Sequence, residues 1–302
     1  MRLIIHPGLH KTGSTYLQHV LNDHHAALAK RGIYYEWQEG YPAHHHAAWR
    51  VLQGDAEPIR AMAQRAAEKG CDTIIFSSED LEGALYDERP LRAVDKARDI
   101  AGIDAVEWHV VLRDPAKVFQ SLFAQLQHHI YYDGFQLFYD TMRRGFVHFA
   151  APVPESGTPY WYYTFDPACD LARLHDWNCD PVIAHDFAAQ DPFPGASLLE
   201  HLGVLDVIDK LPGDDARNAR PKRDDIIRGY VARVSETVPS GEDQQRIVDG
   251  FLTCLESALD NVSTYAELIG EKYRTSHETA LMLFGKEKDE GSREPSCSAR
   301  PG

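Results

Sequence analysis

The stretch Leu3-Ile4-Ile5-His6-Pro7-Gly8-Leu9-His10-Lys11-Thr12-Gly13-Ser14-Thr15 decides the fold. Its apolar start, closed by Pro and Gly, predicts a short buried strand. Beyond it Leu17, Val20, Leu21 and Leu28 return at helical spacing, which predicts a helix over 15–31. A strand that enters a glycine-bearing loop and leaves as a helix presents backbone N–H groups and a positive helix end to an anion.

Outward from this start the pattern repeats. Gly32-Ile33-Tyr34-Tyr35 reads as a second strand and Thr73-Ile74-Ile75-Phe76-Ser77 as a buried parallel strand. Val106 to Leu112 reads as a further strand that ends at Arg113-Asp114-Pro115. Helices are expected over 44–53, 58–69 and 90–101 and after Asp114, a capping residue with Pro115 at the first helical position. A further element over 170–176, another strand over 181–184, and helices over 195–202, 223–238 and 243–274 are expected to complete the fold. Strands alternating with helices predict an α/β fold, a three-layer doubly wound parallel sheet whose ligands bind at the carboxyl ends of the strands. We expect one domain over 1–285 and an aromatic-rich insertion at about 135–165 over the active face. The charged and Ser/Pro/Gly-containing residues 286–302 are expected to form a disordered tail.

The chemistry of the loop turns on one lysine. Gly8 and Gly13 have the spacing of a P-loop, and the expected topology is P-loop NTPase-like. In the nucleotide-triphosphate pattern the second glycine is followed by Lys. Here Ser14 takes that place and Lys11 stands earlier, where it reaches the group beyond a 5′-phosphate. His10, Lys11, Thr12, Gly13, Ser14 and Thr15 are therefore the expected anion-binding residues. Arg113, closing its strand, and Ser121, eight positions on, are candidates for a second phosphate, since a guanidinium makes bidentate, charge-assisted bonds. For a general base the candidates are Glu79, at the end of the third strand, then His46 and His45 in the run His44-His45-His46. A zinc site cannot be assembled around that run by ligand spacing.

Gly8 to Gln18, Phe76-Ser77-Ser78-Glu79-Asp80-Leu81 and Leu112-Arg113-Asp114-Pro115 through Ser121 together resemble the bacterial branch of the sulfotransferase superfamily. The resemblance covers roughly residues 2 to 125. It implies 3′-phosphoadenosine 5′-phosphosulfate (PAPS) as donor and 3′-phosphoadenosine 5′-phosphate (PAP) as product. It also implies that Lys11 to Thr15 form the 5′-phosphosulfate loop and that Arg113 and Ser121 hold the 3′-phosphate. Glu79 falls at about the place of the catalytic histidine of animal cytosolic members. The strongly basic glycine-containing loop of those members is not evident, and the nearest basic cluster is Arg217 to Arg223. A metal is not expected to be required. The alternatives are a P-loop kinase, with Asp80 offered to Mg²⁺, and an inactive nucleotide-binding protein.

A formal charge of −15 repels nucleic acids, so the expected partner is a small-molecule or carbohydrate acceptor. Aromatic residues between Phe119 and Phe135, with Tyr160-Trp161-Tyr162-Tyr163, are candidates for its pocket. Five cysteines without a C-x-x-C pair read as reduced thiols, and no apolar run reaches the length of a membrane span. A cytoplasmic location is the expectation.

Overall fold

The computed structural model describes residues 1–129, 133–150, 159–213, 221–241 and 243–285. The chain divides into two compact units. One comprises Met1–Arg113, His148–Arg217 and Ser276–Gly302, the other Asp114–Val147 and Asn218–Thr275.

The first unit is built on five parallel strands: β1 (Arg2–His6), β2 (Ile33–Tyr35), β3 (Thr73–Ser77), β4 (Ala105–Leu112) and, late in the chain, β7 (Val182–Asp186). Their order is β2-β3-β1-β4-β7, so the first strand lies in the middle and its outgoing loop opens between the ends of its neighbours. Parallel pairing requires a crossover for every connection, and helices supply them. Between β1 and β2 run α1 (Ser14–Asp23) and α2 (His25–Ala29), and between β2 and β3 run α3 (His45–Leu52) and α4 (Glu57–Glu68). α5 (Arg89–Ala101) leads to β4. Side chains alternate across the sheet. Ile4 and Ile75 pack with Leu17, Val20 and Leu21 of α1 and with Leu198 and Leu199 of α9 (Ala196–His201). On the opposite face Phe76 meets the ring of His44, which precedes α3.

The expected helix over 15–31 is broken at His24, whose N–H and Nδ1 both bond the carbonyl of Val20. The stretch 135–165 is not patternless. It holds α7 (Gly134–Arg144), β5 (Phe146–Ala150) and β6 (Tyr160–Thr164), and β5 pairs with β6. α8 (Pro167–Asn178) then leads into β7.

The second unit is helical. α6 (Pro115–His129), α10 (Arg223–Thr237) and much of α11 (Gln244–Phe284) meet through Ala124, Ile226, Tyr230, Val234, Val248 and Leu255. Asp114 caps α6 by accepting the N–H of Lys117 at 3.0 Å, as its position predicts. The expected tail 286–302 and most of the basic cluster near Arg217 lie outside the described residues. Among the described residues no helix is long and apolar enough to cross a membrane. Cys71, Cys169 and Cys254 are free, whereas Cys179 is disulfide-bonded. That corrects the expectation of five thiols: an odd count leaves one over without forbidding a pair.

Candidate active site

The loop after β1 is wound tightly because Gly8, Leu9, Lys11 and Gly13 all have positive φ, at 76, 34, 67 and 83°. Two of the four are not glycine, and the left-handed conformation costs such residues roughly 1–2 kcal/mol each. Side chains hold it in place. Thr12 Oγ1 shares its proton between the carbonyls of Gly8 and Leu9, and Arg113 Nη1 donates to the Lys11 carbonyl at 2.7 Å. Among the described residues the N–H groups of Lys11, Thr12, Gly13 and Ser14 meet no acceptor in the protein. Successive N–H groups curled in this way form a nest for an anion, here at the amino end of α1. Thr12 and Ser14 are buried, and His10, Lys11, Gly13 and Thr15 are half-buried.

The turn after β3 closes on this loop. A Cβ built on Gly8, whose φ is +76°, would stand 3.1 Å from the Glu79 Cα, so a side chain there would be strained and would press the two turns apart. Glu79 begins a 3₁₀ turn (Glu79–Leu85) capped by Ser78. Its Oε2 accepts from Gln18 Nε2 at 3.0 Å, and Gln18 also donates to Ser77 Oγ at 3.3 Å. Burial lowers the pKa of Lys11; the Glu79 carboxylate opposes that shift and the Arg113 guanidinium adds to it. The charges of Glu79 and Arg113 therefore both act on Lys11.

His10 and His45 are drawn in by acids. His10 Nδ1 lies 2.6 Å from Glu82 Oε2, which also accepts the His10 N–H at 2.8 Å. The other oxygen of Glu82 accepts the N–H of Thr164 at 2.6 Å, so one buried carboxylate ties β6 to the loop. The ring of Tyr163 then meets His10 edge-on at 4.5 Å. His45 Nδ1 lies 2.7 Å from Asp80 Oδ2, an oxygen that Trp49 Nε1 also engages at 2.5 Å. His45 Nε2 is thereby turned toward Glu79 Oε1, 4.0 Å away. Burial alone would lower both histidines. The bonds to Glu82 and Asp80, with the charges of Glu79 and Asp80, outweigh it and raise their pKa values.

The structure thus brings together His10, Lys11, Thr12, Gly13, Ser14, Thr15, Glu79, His45 and Arg113. His46 is exposed and packs edge-on against Trp49 at 4.7 Å, with no contact to Glu79. His44 is structural: its Nδ1 accepts the Ser77 N–H and its Nε2 bonds the Glu36 carbonyl. Ser121 stands half-buried on α6 in the second unit, which also holds the buried Phe119 and Phe123, whereas Tyr160 to Tyr163 belong to the first. Tyr131 and Tyr132 lie outside the described residues. The guanidinium of Arg113 also covers the Phe187 ring at 4.9 Å.

Four participants were missed in the sequence: Gln18, Trp49, Glu82 and Asp80 in its role beside His45. One signal for Trp49 was available, since His45 and Trp49 are four apart and share a helix face. Comparison of the chain with family models, with curated proteins and with solved structures found no match.

Proposed function

We propose that the protein is a PAPS-dependent sulfotransferase. The observation that supports this reading best is the set of four unbonded N–H groups from Lys11 to Ser14, flanked by the Lys11 ammonium and facing the Glu79 carboxylate. The amides take the 5′-phosphate, and Arg113 holds the loop from behind and adds positive charge. PAPS supplies the sulfuryl group and a phosphate leaving group. An acceptor hydroxyl or amine attacks sulfur, its proton passes to Glu79, and the sulfur–oxygen bond to the 5′-phosphate breaks. Lys11 stabilises the charge that develops on the bridging oxygen, a contact made mainly in the transition state. Gln18 holds one oxygen of Glu79 by a hydrogen bond, the His45 ring faces the other at 4.0 Å as a nearby charge, and Asp80 orients His45. The reading carries with it a small-molecule or carbohydrate acceptor, a P-loop-like topology and a cytoplasmic location.

A kinase requires an acid free to hold Mg²⁺ beside a triphosphate. Asp80, the acid proposed for that role, is engaged by His45 and Trp49, which favours the sulfuryl donor.

Thermal shift with PAP, with ATP plus Mg²⁺ and with AMP tests the reading. A ligand at 100 times its dissociation constant stabilises by about 2.7 kcal/mol, and PAP is expected to do so. Stabilisation by ATP-Mg²⁺ alone refutes the proposal. Sulfuryl transfer from PAPS, followed against a panel of phenols, alcohols, amines and sugars, then separates an enzyme from an inactive binding protein. Lys11→Ala is expected to lower turnover by roughly 10²-fold or more while changing PAP affinity less.

A further inference from the structure

Six residues before Arg113, on β4, a second group of side chains is assembled from other residues. Glu107 and His109, two apart on β4, share one face of the sheet, and His201 in the last turn of α9 meets them. Glu107 Oε2 lies 3.2 Å from His109 Nε2 and 3.2 Å from His201 Nε2, and one ligand atom from each of the three residues lies within 4.8 Å of the others. Arg2 donates Nε to Oε1 and Nη2 to Oε2 of Glu107, both at 2.7 Å, and its Nη2 stands 3.2 Å from His201 Nε2.

Behind His109 runs a chain of hydrogen bonds. His109 Nδ1 is 3.0 Å from His185 Nε2, His185 Nδ1 is 2.9 Å from Ser197 Oγ, and Ser197 Oγ is 2.9 Å from Gln190 Oε1. The orientation of Gln190 is fixed. Its Nε2 donates to the Asp186 carbonyl, and its Oε1 accepts the N–H groups of Gly195 and Ser197. The chain therefore ends in an acceptor on both sides, an amide oxygen and the Glu107 carboxylate.

Its four contacts need four hydrogens, and Ser197 with two neutral imidazoles supplies three. The hydrogen between Ser197 and Gln190 has to come from the Ser197 hydroxyl. Ser197 then accepts from His185 Nδ1, His185 Nε2 accepts from His109 Nδ1, and His109 Nε2 reaches the carboxylate bare. An Arg2 N–H directed at His201 makes His201 Nε2 an acceptor as well. Three lone pairs then converge, and the Arg2 guanidinium reaches only those of Glu107 and His201, which leaves His109 Nε2 against a carboxylate oxygen with no hydrogen between them.

We propose that Glu107, His109 and His201 bind a divalent transition-metal ion of the zinc class, through one carboxylate oxygen and two imidazole Nε2 atoms. Ligands at about 2.0–2.1 Å on a tetrahedral ion stand roughly 3.3 Å apart, close to the two 3.2 Å separations from Glu107 Oε2, and the third pair lies within 4.8 Å. Arg2 balances the charge of Glu107, so the site offers Ca²⁺ and Mg²⁺ too few anionic oxygens, whereas imidazole nitrogens suit zinc. His185 then does for His109 what the partner of a metal-bound histidine ordinarily does, fixing its tautomer and ring plane. The ion joins β4 to the end of α9.

The test uses untagged full-length protein, stripped with a chelator and titrated with Co²⁺ and then Zn²⁺. One equivalent of Co²⁺ is expected to produce the intense visible absorption of tetrahedral cobalt, and one equivalent of Zn²⁺ to abolish it. His201→Ala should lose the signal, and Ser197→Ala should weaken binding by about 10–100-fold. Both side chains are half-buried, and circular dichroism checks that each variant is folded. His46→Ala, which removes an exposed histidine of the other cluster, should bind as the parent does. Absence of the cobalt band, or a band indifferent to His201→Ala, overturns the proposal. So does an imidazole NMR spectrum in which His109 carries protons on both nitrogens and keeps them after zinc is added, because a proton then supplies the missing charge.

Discussion

Arg113 closes β4 and reaches back a hundred residues to hold the carbonyl of Lys11, with its plane on Phe187. That geometry makes it part of the loop as well as a charge beside it. On the proposed reading Arg113→Ala weakens PAP binding by about 1.5–3 kcal/mol, the cost of a lost charge-assisted bond. Arg113→Lys restores little of this, because an ammonium lacks the guanidinium's planar fork of donors. Titration calorimetry with PAP checks both variants, and an unchanged affinity in the alanine variant removes Arg113 from the site. Lys11 and Glu79 were legible in the sequence because a loop between strand and helix, and the first residues after a strand, mark positions at one sheet edge. Glu82 was not. Its partners are 72 residues before it and 82 after it, at His10 and Thr164, and an acid with only distant partners leaves no local pattern.

At the scale of elements, the loop depends on glycine for two separable reasons. Gly13 has φ of +83°, and a Cβ placed there would come 2.6 Å from the Cβ of Pro194. Gly102, at the end of α5, has φ of +63° and nothing within 4 Å of such a Cβ. Gly102→Ala therefore pays conformational strain alone, about 1 kcal/mol. Gly13→Ala adds the collision and is expected to exceed that cost clearly in urea unfolding, with PAP binding weakened as well. Equal costs for the two variants would place the strain of Gly13 in its backbone only. The parallel strands and most helices were legible from apolar runs and helical periodicity. The pairing of β5 with β6 was not: in Tyr160-Trp161-Tyr162-Tyr163 both faces are aromatic, so the inward and outward residues of the strand look alike. α11 runs to Phe284 rather than to Arg274 because no glycine or proline stands between Arg274 and Gly285.

Across the whole molecule four histidines of the first unit, His6, His44, His10 and His45, form two sets with opposite pH dependence. Burial, reinforced by His109, lowers His6 to about 3, and burial likewise lowers His44 to about 4, from an ordinary value of 6.5. Their unfolded forms take up protons that the folded forms refuse, so stability falls as pH drops below 6.5, by up to about 1.4 kcal/mol per pH unit for each histidine. The loss from His44 is complete near pH 4 and that from His6 near pH 3. His10 and His45 are raised above 6.5 by their carboxylate partners. Their contribution is fully present below 6.5 and is lost as pH rises through their folded values. The two sets together place maximal stability close to pH 6.5, with a decline on each side. All five tryptophans lie in the first unit, so their fluorescence in urea titrations from pH 4 to pH 9 reads that unit. Asp80→Asn should flatten the alkaline decline by removing the acid that raises His45, and leave the acidic one in place. A parent protein whose stability is level between pH 4 and 6.5, or climbs steadily above 6.5, would contradict this division.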